Sequence, residues 1–131
     1  MSFDNLQGAP TVRASKEFFT PLEKKVNGRF EKEDYELEKS RIADIALAVG
    51  LVEDERAETS GPTFTFNLGS IDKYGVLKSV IQEQHQDKEG DELRVLLQRY
   101  MEGGAQFIAD EIDENGVFNY HRYLSEDETD E

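Results

Sequence analysis

The feature that most constrains this chain is a pair of adjacent glycines, Gly103-Gly104, set inside a strongly amphipathic run. Leu93, Leu96, Leu97, Tyr100, Met101, Phe107 and Ile108 recur at three- and four-residue steps, which places them on one wide apolar face of a helix that Asp91 can cap. Each glycine in a helix interior costs about 1 kcal/mol relative to Ala. A helix that keeps two of them side by side therefore signals either a kink or the close approach of another helix backbone.

The same period marks other elements. Leu37, Ile42, Ile45, Ala46 and Val49 form a buried stripe from about Asp34 to Gly50, and Tyr74, Leu77, Val80 and Ile81 form another between Ser70 and His85, with Ser70 as a candidate cap. Upstream, Thr11 to Ala14 reads as a short extended piece ending at Ser15, itself a candidate cap. Thr20-Pro21-Leu22-Glu23 offers a second helix start of capping-box type, and Asn27-Gly28 supplies a stop. Thr63 to Leu68 alternates briefly, which suits either a strand or an extended loop that pins Phe64 and Phe66 into the core. Asn115-Gly116 suggests a tight turn, and with it a short C-terminal hairpin between Glu111-Ile112 and Val117-Phe118. The expectation is an all-α, compact bundle of about four helices with a ribbon-helix-helix-like N-terminal part. Residues 1–10 form a flexible arm, 11–112 a helical domain and 113–131 an acidic extension, of which 125–131 is disordered.

Composition narrows the chemistry. The 131 residues suit one domain, and they include no Cys, so the chain carries no disulfide, thiolate metal site, cysteine nucleophile or persulfide of its own. No apolar stretch is long enough to cross a bilayer, and Met1 to Pro10 lacks the plan of a signal peptide, so a cytoplasmic protein with no membrane partner is expected. The net charge of −14 argues against free-standing nucleic-acid binding, but it is unevenly spread. From Asp110 onward nine acids face one base, Arg122, for a net of −8. Between Arg13 and Arg29 the sign reverses: Arg13, Lys16, Lys24, Lys25 and Arg29 stand against Glu17 and Glu23, for a net of +3. Any surface that meets phosphate lies there.

Other constellations are weaker. Aligned on Gly116, Glu111, Asp113 and Asn115 fall at the first ligand positions of a calcium loop, but Arg122 occupies the place of the bidentate carboxylate and would repel the ion. His85 and His121 lack a second His or Cys at ligand spacing, and no nucleophile or orienting carboxylate is marked out beside them. Neither a GxxxxGK[ST] loop nor a GxGxxG turn is present. No metal, cofactor or catalytic residue is expected. The order ribbon, helix, turn and helix across Thr11 to Leu51 is that of a ribbon-helix-helix unit, in which Thr11 and Arg13 could read base edges in a dimer. Against it, Lys24 and Lys25 could simply solubilise a helix, and five acids crowd 31–38.

Taken together these pieces resemble a known family. Gly61-Pro62-Thr63-Phe64, then Tyr74-Gly75-Val76-Leu77, then Tyr100-Met101-Glu102-Gly103-Gly104 through Ile108 are similar to the corresponding steps of the DndE family, small helical proteins of the DNA phosphorothioation (sulfur-modification) system. Val12-Arg13-Ala14-Ser15-Lys16 with Leu22 and Lys25, and Arg41-Ile42 through Gly50-Leu51, resemble that family's Ser-Lys helix and its Arg-led apolar helix. The likeness spans about 11–112. It implies an all-helical fold, a homotetramer, and a place beside partner proteins, including an ATPase, that replace a non-bridging phosphate oxygen with sulfur. It also implies binding of double-stranded DNA, preferentially at nicks, through surface lysines, with Lys16 and Lys25 at matching positions. Arg13, Lys24 and Arg29 extend that set by charge counting alone. The heavy negative charge and the 113–131 extension depart from the family.

The expected function is thus a non-catalytic accessory subunit of a DNA phosphorothioate-modification complex, not an enzyme. It would bind double-stranded DNA or scaffold its partners. Two alternatives stand beside it: a ribbon-helix-helix transcriptional regulator binding an operator as a dimer, and an acidic DNA mimic that occupies a basic groove in another protein.

Overall fold

A computed structural model describes residues 10–27 and 39–115. In chain order the elements are strand β1 (Thr11–Ser15), helix α1 (Lys16–Asn27), helix α2 (Lys39–Glu53), strand β2 (Thr63–Asn67), a 3-10 turn (Leu68–Ser70), helix α3 (Val76–Gln84) and helix α4 (Gly90–Asn115). The fold is helix-dominated but not all-α, which corrects the expectation. β1 and β2 form a two-stranded antiparallel sheet that pairs Thr11 with Asn67, Arg13 with Thr65 and Ser15 with Thr63. The strand reading of 63–67 is the right one, and its partner is the extended piece at 11–15. Lys16 N–H to the Pro62 carbonyl and Leu68 N–H to the Pro10 carbonyl, both 2.9 Å, extend the ladder by one rung at each end.

The pairing also overturns the ribbon-helix-helix expectation, in which the first strand would meet its copy in a second chain. Here β2 of the same chain takes one edge of β1, and α4 takes the other. Three α4 residues at four-residue spacing reach the strand: Arg94 Nη1 donates to the Thr11 carbonyl at 2.9 Å, Gln98 Oε1 accepts from Arg13 N–H at 2.8 Å, and Glu102 Oε1 accepts from Ser15 N–H at 3.0 Å. Residues four apart lie on one helix face, and alternate strand residues point to one edge, so the two rows meet.

α4 is the spine of the domain, and α2 packs along it. The glycine pair is explained by this contact. A Cβ on Gly104 would overlap the Ala46 carbonyl oxygen, one on Gly50 the Tyr100 carbonyl oxygen, and one on Gly103 the Glu55 carbonyl oxygen. The helix continues through both glycines, so close approach is their role, with Ala46 and Gly50 as the small residues opposite. Around this seam Ile42, Leu47, Leu97, Met101 and Ile108 are fully buried, while Phe19 links α1 to the sheet through Phe64 and Phe66 at ring-centroid distances of 5.7 and 5.5 Å.

Element ends differ from the sequence expectations for local reasons. Of the two starts the sequence offers, α1 takes the one at Ser15: it begins at Lys16 and runs through Pro21, not from Thr20. The Ser15 Oγ accepts the Ser60 N–H at 2.9 Å and holds the loop before β2. α2 passes Gly50 and closes at Asp54, which adopts φ 55° while Glu55 N–H bonds the Gly50 carbonyl at 2.8 Å and Asp54 N–H the Leu51 carbonyl at 3.3 Å. That is a Schellman closure with Asp where glycine is usual. α3 begins at Val76 after left-handed Gly75, so Ser70 is not its cap, and Tyr74 projects 85% exposed. α4 remains helical to Asn115, so Glu111-Ile112 is no hairpin strand and Glu111 to Asn115 is no calcium loop. Val117-Phe118, the arm at 1–9, and 116–131 lie outside the described residues, as does His121. Among the described residues no helix is long and apolar enough to cross a membrane.

Candidate functional site

Of the five predicted DNA-contacting residues, two have described side chains, Arg13 and Lys16, and both are exposed. Arg13 sits in mid β1 with its backbone held by Gln98 and its side chain exposed. Lys16 begins α1, also exposed, with its N–H anchored to Pro62 and its ammonium 5.1 Å from the centre of the Phe64 ring. Neither is paired with a carboxylate among the described residues. Lys24 and Lys25 lie on α1 with side chains outside the described set, and Arg29 lies outside the described residues.

Lys39, outside the predicted set, lies with Lys16. Its ammonium lies 5.3 Å from the same Phe64 ring centre, so the half-buried aromatic gathers two cations from the starts of two helices. Each contact is electrostatically favourable to the ring face. Lys39-Ser40-Arg41, directly behind the acids of 31–38, is a second basic cluster that the sequence displays as charge. The solvent side of the sheet beside it carries Arg13, Thr65 and Asn67, all exposed and none acidic.

Arg41 has a different duty. Its Nη1 pairs with Asp44 Oδ2 at 2.8 Å and its Nη2 donates to the Ser70 carbonyl at 2.8 Å. Asp44 Oδ1 accepts the Asp72 N–H at 2.7 Å, Asp72 Oδ2 accepts the Lys78 N–H at 2.6 Å, and Lys78 Nζ donates to the Leu68 carbonyl at 3.0 Å. This network ties the turn before α3 to α2. Burial raises the Asp44 carboxyl above the usual value, and the Asp72 N–H and Arg41 oppose that rise.

His85 closes α3 and its Nε2 meets the Tyr100 hydroxyl at 2.9 Å. The Arg56 guanidinium lies 5.5 Å above the Tyr100 ring, and burial raises the Tyr100 hydroxyl above its usual range against the pull of Arg56. Next to it a shallow hollow of about 220 Å³ is lined by Arg56, Ala57, Glu58 and Arg99. Arg99 pairs there with Glu58 at 3.4 Å, and Glu53, Asp54 and Glu55 precede it, so the surroundings are acidic despite the two guanidinium groups. The His85–Tyr100 bond was not legible in the sequence, where His85 stands without a partner at ligand spacing. Among the described residues no three metal-ligating side chains cluster. No family model, curated protein or solved structure matches this chain.

Proposed function

We propose that this protein is a non-catalytic accessory subunit of a DNA phosphorothioate-modification complex, and that it touches duplex DNA through the β1–α1 corner. The observation that carries the reading is the unpaired exposure of Arg13 and Lys16, the latter sharing the Phe64 ring with Lys39, on a chain of net charge −14. Exposed lysine and arginine neutralise backbone phosphates and supply most sequence-independent affinity. On a chain otherwise so acidic, a cationic corner selects the face that approaches the duplex and turns the rest away. Sulfur insertion needs a persulfide or cluster and an activating nucleotide step, and the residues of this chain include no Cys and no phosphate-binding loop for either. Those steps fall to partner proteins, and this subunit positions DNA or partners. The His85–Tyr100 pair is read as a structural bond at the α3–α4 junction.

The test has two arms. Purified full-length protein is assayed for a duplex mobility shift at low and moderate salt, and its gene is deleted in cells whose DNA phosphorothioate content is then measured by mass spectrometry of digested nucleotides. A salt-sensitive shift and a loss of phosphorothioate are expected. No shift at any salt together with unchanged phosphorothioate overturns the reading, and tight binding to a basic protein partner in place of DNA identifies an acidic DNA mimic.

A further inference from the structure

The two outer edges of the small sheet are treated very differently. Arg13 and Ser15 donate their N–H groups to α4 side chains, and Thr11 offers its carbonyl to Arg94. In an antiparallel pair alternate residues point to opposite edges. The β1–β2 bonds are therefore carried by Val12 with Phe66 and Ala14 with Phe64, which leaves Thr63, Thr65 and Asn67 presenting their backbone groups away from β1. Among the described residues no backbone or side-chain group bonds those outward positions. Exposed edges are usually blunted by charge, internal proline or a bulge, and Thr63-Phe64-Thr65-Phe66-Asn67 has none of these.

We infer that the β2 edge pairs with the β2 edge of a second copy of this chain, making a continuous four-stranded sheet about a two-fold axis at Thr65. The strand is self-complementary in that register. Antiparallel pairing about Thr65 sets Thr65 against Thr65, Phe64 against Phe66 and Thr63 against Asn67, so polar meets polar and aromatic meets aromatic on every rung. Closed two-fold contacts need this property, because each patch must fit itself. Phe64 is only half-buried whereas Phe66 is 8% exposed, and the pairing would set Phe66 of the second copy beside Phe64. The strand is neutral, which matters for chains that otherwise repel at −14 each. The dimer would place two Arg13 side chains on one sheet face, yet the pairing needs no DNA and stands apart from the proposed function.

Sedimentation velocity of the full chain without DNA, over a range of protein and salt concentrations, tests it. Self-association that strengthens with salt is expected, since screening weakens the repulsion between like-charged copies. Duplex binding through phosphates weakens with salt, so the two proposals fail independently. Thr65→Glu sets a carboxylate opposite Arg13 within the monomer but against its own copy across the axis, and it should weaken association by about tenfold or more with an unchanged far-UV spectrum. Thr65→Pro, which removes an outward N–H, should act likewise. A monomer under all conditions, assembly indifferent to both variants, or loss of a partner protein's binding with no self-association overturns the inference.

Discussion

Glu102 Oε1 accepts the Ser15 N–H at 3.0 Å with the whole side chain excluded from solvent, while Oε2 has no partner among the described residues. A buried donor left without its acceptor costs about 1–3 kcal/mol. Glu102→Ala should destabilise the fold by about 2–3 kcal/mol, and Glu102→Gln, which keeps an oxygen for Ser15, should cost clearly less. Urea unfolding of the three proteins ranks them, and equal losses for Ala and Gln would show that the acceptor role is unimportant.

Gly104 lies against the Ala46 carbonyl oxygen and the Gly50 nitrogen with no room for a methyl group. Backbone cannot yield as a flexible side chain does, so Gly104→Ala should cost about 3 kcal/mol. Gly69, with open space around its missing Cβ, is the control, and Gly69→Ala should stay within about 0.5 kcal/mol. Thermal or urea melts that fail to separate the two variants would contradict the close seam.

Asp44 gives a pH signature. Its carboxyl is raised from 3.8, chiefly by burial, so the folded protein holds this proton more tightly than the unfolded chain. Its stabilising contribution is fully present below 3.8 and is lost as pH rises through the raised folded-state value. Relative to Asp44→Asn, the wild-type protein should therefore lose stability across that window. Urea midpoints at stepped pH measure the difference, and a rise in place of a fall would mean that Arg41 and the Asp72 N–H outweigh burial.

Arg13 and Lys16 give the binding signature. Each phosphate contact contributes about 0.9 to the slope of log affinity against log salt. Arg13→Ala and Lys16→Ala should each weaken duplex binding and lower that slope by about 1, with no change in sequence preference. Fluorescence anisotropy at four salt concentrations reads both quantities, and unchanged slopes would move the interface elsewhere.

What the sequence disclosed and what it hid follow physical lines. The α2 stripe of Ile42, Ala46 and Val49 and the α4 face were legible because helical burial repeats within a few residues, whereas the choice between kink and close approach at Gly103-Gly104 needed the packing of α2 against them. The pairing of 11–15 with 63–67 was not, since five-residue strands so far apart carry no local mark of their partner. Glu102 hid for another reason: its one buried bond is to the Ser15 backbone, which has no side-chain identity to read. In the candidate site, Arg13 and Lys16 showed as charge, whereas Lys39 joins Lys16 only through Phe64, a contact made by folding.

The row Arg94, Gln98, Glu102 against Thr11, Arg13, Ser15 works as a vernier between two unlike rulers. Four helical residues advance about 6 Å and two strand residues about 6.7 Å. Over the two steps linking three contacts the mismatch grows to only about 1.4 Å, within the reach of flexible Arg and Gln side chains. Each further step would widen it, so a helix can guard a strand in this manner only while the strand is short. The five-residue length of β1 is then a condition of its protection, and lengthening it would expose new edge that α4 could not cover.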